Sequence, residues 1–204
     1  MDTVPYLFCE AVARSIDKVG YMQTQLNCAN HSGFNSWKTS VKMHASNRQT
    51  FLISFDFANG EWYYCISNKT DVYNTKNVTF AELKGINRRF LRISNVEFSS
   101  EASFGPYPRQ EIEDLIRFAA PFVNSAALSV DEENTITEID LCVMLSYLQR
   151  CSFADMFVEK HSKCFEEFLK YQLQYGCVKR VYLYGREWPA ELRSEVNKRR
   201  CNGS

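Results

Sequence analysis

The chain has 204 residues, enough for one large domain or one domain with a small appendage. Hydrophobic residues make up 45% and aromatic residues 14%, which supports a packed core and excludes a globally disordered chain. Lysine plus arginine total 24 and aspartate plus glutamate total 24, so the formal net charge is +0; this argues against a dedicated nucleic-acid binder and gives no attraction to anionic membranes.

Val4, Phe8, Val12 and Ile16 fall four apart, the spacing of one helical face. Pro5 sits early in that segment, where its missing N–H costs nothing. An amphipathic helix is therefore predicted within residues 1–20. The start carries acids at Asp2 and Glu10 and no basic-then-apolar pattern, so it does not read as a signal peptide. No run reaches the ~18–20 apolar residues of a membrane span. The expected location is the cytoplasm.

Gln25–Ser36 is polar and reads as loop, with Trp37 expected to dock the next segment. Phe51, Ile53, Phe55 and Phe57 alternate along one run, and Trp62, Tyr64 and Ile66 along the next. Asn59-Gly60 between them predicts a β-hairpin, because both residues accept positive φ. Thr79-Phe80-Ala81-Glu82 is a capping box that opens a short helix to about Asn87.

From Arg89 the pattern strand then helix recurs. The predicted pairs are Arg89–Phe98 with Arg109–Ala120, Ala126–Val130 with Ile139–Arg150, Ala154–Lys160 with Ser162–Gln174, and Val178–Gly185 with Pro189–Lys198. Strand starts recur every ~25–35 residues, the period range of stacked repeats. Pro108 and Pro189 open two of the helices, Thr135 with Glu138 reads as a capping box for another, and Ser99–Tyr107 reads as a loop.

Strand–helix–strand connections are right-handed and make neighbouring strands parallel. Parallel strands covered on both faces read as continuous apolar runs. These instead alternate: Leu91 and Ile93, Met156 and Val158, and Val181 and Leu183 are separated by polar, charged or aromatic residues. The predicted class is α/β, a short leucine-rich-repeat-like β-α array with parallel strands and helices on one face. An N-terminal helix and a β-hairpin precede it. The expected divisions are 1–20, 21–87 and 88–204.

Such an array makes a surface rather than a pocket. Tyrosine, tryptophan and arginine are the usual anchors of protein interfaces, so the candidate partner-binding residues are Arg92, Phe157, Glu159, Arg180, Tyr182 and Tyr184. The chain has no G-x-G-x-x-G, no P-loop and no paired C-x-x-C, so no cofactor and no metal is expected. Two alternatives stay open. His161 and Cys164 form H-x-x-C and suggest a cysteine-dependent hydrolase. Asn30, Asn68, Asn77 and Asn202 begin glycosylation sequons and, with eight cysteines, suggest a secreted glycoprotein. The bland reading of the cysteines is small buried apolar residues. Cys142 and Cys164 fall inside repeat helices, and Cys151 and Cys177 just before strands. Matching positions in successive repeats stack as neighbours, so a thiol pair can come within bonding distance.

Val4-Pro5-Tyr6-Leu7-Phe8-Cys9-Glu10-Ala11-Val12 resembles the opening of the F-box and F-box-associated family expanded in nematodes. Asn47-Arg48-Gln49-Thr50-Phe51 and Gly60-Glu61-Trp62 are similar to its hairpin region. Phe165-Glu166-Glu167-Phe168-Leu169, Val181-Tyr182-Leu183 and Trp188-Pro189-Ala190-Glu191-Leu192 look like its C-terminal strand–helix ending. The resemblance implies a leucine-rich-repeat-like fold, a substrate-recognition or scaffold role, and a cullin-type ubiquitin ligase adaptor as partner. Val4, Pro5, Phe8 and Val12 would contact that adaptor. The match covers the first helix of an F-box only, because the stretch after Gly20 is polar.

Overall fold

The alternating aromatic runs form the predicted hairpin. In the computed structural model, Gln49–Ala58 (β1) and Glu61–Asn68 (β2) pair antiparallel, with Phe55 opposite Tyr64 and Phe57 opposite Trp62. Asn59 and Gly60 both take left-handed φ, 55° and 82°, as the tight turn demands. Trp62 and Tyr64 are buried, whereas Tyr63 points to the opposite face and is part-exposed. The structure describes residues 35–70, 75–100, 104–133, 135–176, 178–185 and 187–202, with Val12 besides; at 35–38 and 199–202 it describes the backbone alone.

The chain divides into two compact units, 1–49 with 85–91 and 50–84 with 92–204. In the first, a helix (α1, Asn35–Asn47) occupies a stretch whose opening was expected to be loop. Among its described side chains, Ser40, Val41 and His44 are buried. The His44 ring meets Phe90 edge-on at 5.3 Å, and the Gln49 N–H donates to the Phe90 carbonyl. The predicted helix of 1–20 and the Trp37 side chain lie outside the described residues, apart from Val12, which is helical.

The second unit carries the repeats. After β2 come β3 (Lys76–Asn77), α2 (Phe80–Gly85), β4 (Leu91–Phe98), α3 (Arg109–Ala119), β5 (Val123–Val130), α4 (Glu138–Leu148), β6 (Ser152–Val158), α5 (Lys163–Tyr175), β7 (Arg180–Leu183) and α6 (Ala190–Asn202). Among the described residues the fold is α/β: a seven-stranded mixed sheet, mostly parallel, with six α-helices from Asn35 onward. The strand order is β3-β2-β1-β4-β5-β6-β7. Segments around Ile93, Val158 and Leu183 therefore share one sheet, and β4, β5, β6 and β7 run parallel. Contacts between β1 and β4 advance together along both strands. Ser54 Oγ donates to Glu97 and the Ser99 N–H donates to the Phe55 carbonyl, so this pair is parallel too.

The register aligns the repeats. Val96, Leu128, Met156 and Val181 form one row across the sheet; Phe98, Val130, Val158 and Leu183 form the next. All of these are buried except Leu183, which is part-exposed. Right-handed crossovers place α3, α4 and α5 against that side, and each brings a buried stripe, such as Ile112, Leu115 and Ile116 on α3 or Phe165, Leu169 and Leu173 on α5. Truncating a fully buried phenylalanine such as Phe153 would cost roughly 3–5 kcal/mol.

The capping box at Thr79 and Glu82 forms as expected. The Glu82 N–H donates to Thr79 Oγ1 at 3.2 Å, and the Thr79 N–H donates to Glu82 Oε2 at 2.7 Å. The expected box at Thr135 and Glu138 does not. The cap of α4 is Thr137, which accepts from the Asp140 N–H at 3.2 Å. Glu138 instead leaves its own helix and accepts the Lys163 and Cys164 N–H groups at 2.9 and 3.4 Å, supplying the start of α5. The loop expected at Ser99–Tyr107 is partly strand-like. The Tyr64 N–H donates to the Phe104 carbonyl and the Tyr107 N–H to the Trp62 carbonyl. Gly105 is needed there: its φ is +148°, and an added Cβ would lie 2.7 Å from the Tyr63 ring.

Candidate functional site

The second face of the parallel strands is built from the residues between the buried rows. Asn95, Ala127, Asp155 and Arg180 lie side by side, as do Glu97, Ser129, Phe157 and Tyr182. All of these are part-exposed or exposed.

Of the expected partner-binding residues, Phe157 and Tyr182 are the pair the structure joins most closely. Their rings stack with centroids 4.9 Å apart and planes within 2° of parallel. Arg180 sits one step away along β7, and its Nε and Nη2 donate to the two Asp155 carboxylate oxygens at 2.6 and 2.7 Å. That fork raises the guanidinium pKa further and fixes the side chain flat across β6. Glu159 follows the end of β6, and its carboxylate accepts the Glu132 N–H at 3.5 Å. Tyr184 follows the end of β7 and is exposed, while its carbonyl accepts the Trp188 indole N–H at 2.8 Å. Arg92 lies at the opposite end of the strands, where it donates to the Asn124 carbonyl at 3.3 Å. Five of the six residues thus gather at β6, β7 and the loops just beyond, and Arg92 stands apart.

Sequence reasoning missed the acids of this face. Glu97 lies in the row of Phe157 and Tyr182, and Ser54 Oγ donates to it at 3.1 Å. Burial pushes its carboxyl above the usual range, and the nearby Asp131 charge pushes the same way, against hydrogen bonds from Ser54 and Asn95. Asp56, two residues beyond Ser54 on β1, is buried and raised by the same cause, opposed by the Phe57 N–H. Asp131 and Glu159 begin the loops after β5 and β6 at matching positions, since the N–H of each donates to the last carbonyl of the strand before it in the sheet. The period-2 alternation of β1 and β4 was visible in the sequence. What would have exposed the acidic strip is the register between strands.

The alternative catalytic pair is not assembled. His161 Nε2 is 2.6 Å from Glu166 Oε1, and its ring meets Trp188 edge-on at 4.9 Å. The Cys164 thiol contacts Ser162 Oγ and the Glu138 carbonyl; burial first, then Cys142 and the Glu138 charge, push its pKa up to about 12 against the Ser162 hydrogen bond. A nucleophilic thiol needs the reverse shift and a base within reach. Among the described residues no group of three or more His, Cys, Asp or Glu is placed to hold a metal ion. No described helix is long and apolar enough to cross a membrane. A shallow open cleft lies between β2, α2 and α3, where the Tyr64 hydroxyl donates to Glu111 at 2.8 Å beside Phe80, Lys84 and Tyr107. Of the expected adaptor-binding residues, Val4, Pro5 and Phe8 lie outside the described residues; Val12 is part-exposed. Compared with protein-family models, curated proteins and solved structures, the chain matches none.

Proposed function

We propose that this chain is a non-enzymatic, cytoplasmic protein-interaction module. Its β-α units form a leucine-rich-repeat-like array, and the strand face holds the partner. One observation carries the reading. The register from β4 to β7 is continuous enough to line up two rows of solvent-facing side chains, ending in a stacked Phe157–Tyr182 platform beside Asp155-bound Arg180. Rigid aromatic rings and a pre-set guanidinium lose little entropy when a partner lands on them. Glu97 on the same face, part-exposed, favours a partner segment bearing lysine or arginine, whose charge would offset the burial of its carboxylate.

The resemblance to the F-box-associated family favours a more specific version. The strand face would choose a substrate, and Val4, Pro5, Phe8 and Val12 would dock a cullin-type ligase adaptor. The two versions separate in one experiment. Affinity purification with mass spectrometry is run on the full chain, on Tyr182→Ala and on Phe8→Ala with Val12→Ala. Loss of a partner with Tyr182→Ala, in a variant that keeps its melting temperature, supports the strand face. Loss of an adaptor subunit with the Phe8 and Val12 changes supports the ligase version. Normal recovery of every partner by Tyr182→Ala removes the strand face as the site.

A further inference from the structure

The helix layer holds two cysteines at one meeting point. Cys142 lies on α4 and Cys164 opens the first turn of α5. The Glu138 carbonyl, which lies one helical turn before Cys142, is 3.8 Å from the Cys164 sulfur. In α4 that same carbonyl faces the N–H of the residue four positions on, which is Cys142. The Glu138 carboxylate also binds the Lys163 and Cys164 N–H groups, which pins the start of α5 to this turn of α4. The Cys164 sulfur therefore lies beside the turn of α4 that ends at Cys142, which brings the two thiols near one another. Both are reduced, Cys142 is exposed and Cys164 is part-buried.

We infer that Cys142 and Cys164 are a dithiol that closes to a disulfide between α4 and α5 when the chain meets an oxidised small-molecule disulfide. The step balances with glutathione disulfide as the oxidant. The Cys142 thiolate attacks one sulfur of the oxidant, breaks its S–S bond and releases one glutathione thiolate. Cys164 gives its proton to water, attacks the Cys142 sulfur of the mixed disulfide and expels the second glutathione. Two protein thiols are oxidised and one glutathione disulfide is reduced to two thiols. Accessibility sets the order: Cys142 meets the oxidant and Cys164 resolves it. The bridge would fasten two neighbouring repeats on the helix side and leave the strand face untouched.

Burial raises the Cys164 pKa, so closure should become faster as pH rises. The test incubates the native full chain with glutathione disulfide, quenches with acid, alkylates remaining thiols and maps peptides by mass spectrometry. The expected result is a Cys142–Cys164 cross-linked peptide with the loss of two hydrogens, reversed by dithiothreitol. Cys164→Ser should instead retain glutathione on Cys142. Persistent glutathione on Cys142 of the wild type, with Cys164 still alkylated as a thiol, overturns the proposal. So does a wild-type chain in which both cysteines remain reduced. Both decisive readings come from the wild type, so a poorly folded variant cannot mask them.

Discussion

Gln172 is a polar side chain inside the repeat core, and its replacement tests how the array is held together. It is 1% exposed. Its amide donates to the Gln149 carbonyl at 2.8 Å and the Cys151 carbonyl at 3.2 Å, which ties α5 to the turn between α4 and β6. Its own Oε1 is buried without a partner. Gln172→Leu keeps the volume and removes both donors. The Cys151 carbonyl would be left buried and unsatisfied, at about 1–3 kcal/mol, and the Gln149 bond is worth about 1 kcal/mol more. Removing the orphaned Oε1 returns about 1 kcal/mol. The balance is a destabilisation of about 2 kcal/mol, or a melting temperature lower by roughly 4–8 °C for a chain of this size. Differential scanning calorimetry at pH 7 measures it. A variant as stable as the wild type would refute the idea that this amide organises the turn. Gly176→Ala provides a check, because its Cβ would lie 2.5 Å from the Gln172 carbonyl oxygen. That contact is backbone, so the loss should persist when Gln172→Leu is also present.

Glu97→Gln should stabilise the chain at neutral pH. Its folded pKa is raised, chiefly by burial, so the stability it contributes is complete below the ordinary carboxylate pKa and is lost as pH rises through the folded one. Urea denaturation should show the variant more stable at pH 7 and equal to the wild type at pH 3; a difference that persists at pH 3 contradicts this. Tyr64 is also raised, by burial and by its bond to Glu111. Its contribution is present below pH ~10, the ordinary phenol value, and fades above it. Melting curves from pH 9 to 11 should therefore fall more steeply for the wild type than for Tyr64→Phe. Glu138→Ala should cost about 1 kcal/mol by removing the acceptor of the Lys163 and Cys164 N–H groups while Ser162 still caps α5, and Thr135→Ala should stay within about 0.5 kcal/mol. Equal losses in the two variants would restore the capping box read from sequence.

The repeats were legible because α/β alternation writes two periods into one stretch. Leu91 and Ile93 alternate, while Ile112, Leu115 and Ile116 keep helical spacing, and the structure places both sets in the core. The hairpin was legible from Asn59-Gly60 between two alternating aromatic runs. Helix α1 was not, because two of its three buried side chains among those described, Ser40 and His44, are polar and carry no apolar signal. The α4 cap was misread because Thr135 and Thr137 both precede acids three residues on, and only coordinates show that Glu138 is spent on another helix. Phe157, Arg180 and Tyr182 could be nominated by residue type. Asp56 and Glu97 could not, since a carboxylate on an alternating strand reads as solvated until the neighbouring strand is known. The β5 bulge at Ser125, with φ 51°, was likewise invisible.

The strand face is tested most directly by selecting peptides from a displayed random library on the immobilised full chain. The selected peptides are then re-measured on variants. Lysine- and arginine-bearing sequences should emerge, and their affinity should fall about tenfold or more with Tyr182→Ala or Glu97→Gln. Arg117→Ala, on the helix layer, should leave it unchanged. Peptides that lose affinity only with Arg117→Ala, or a selection that enriches nothing, would contradict the account.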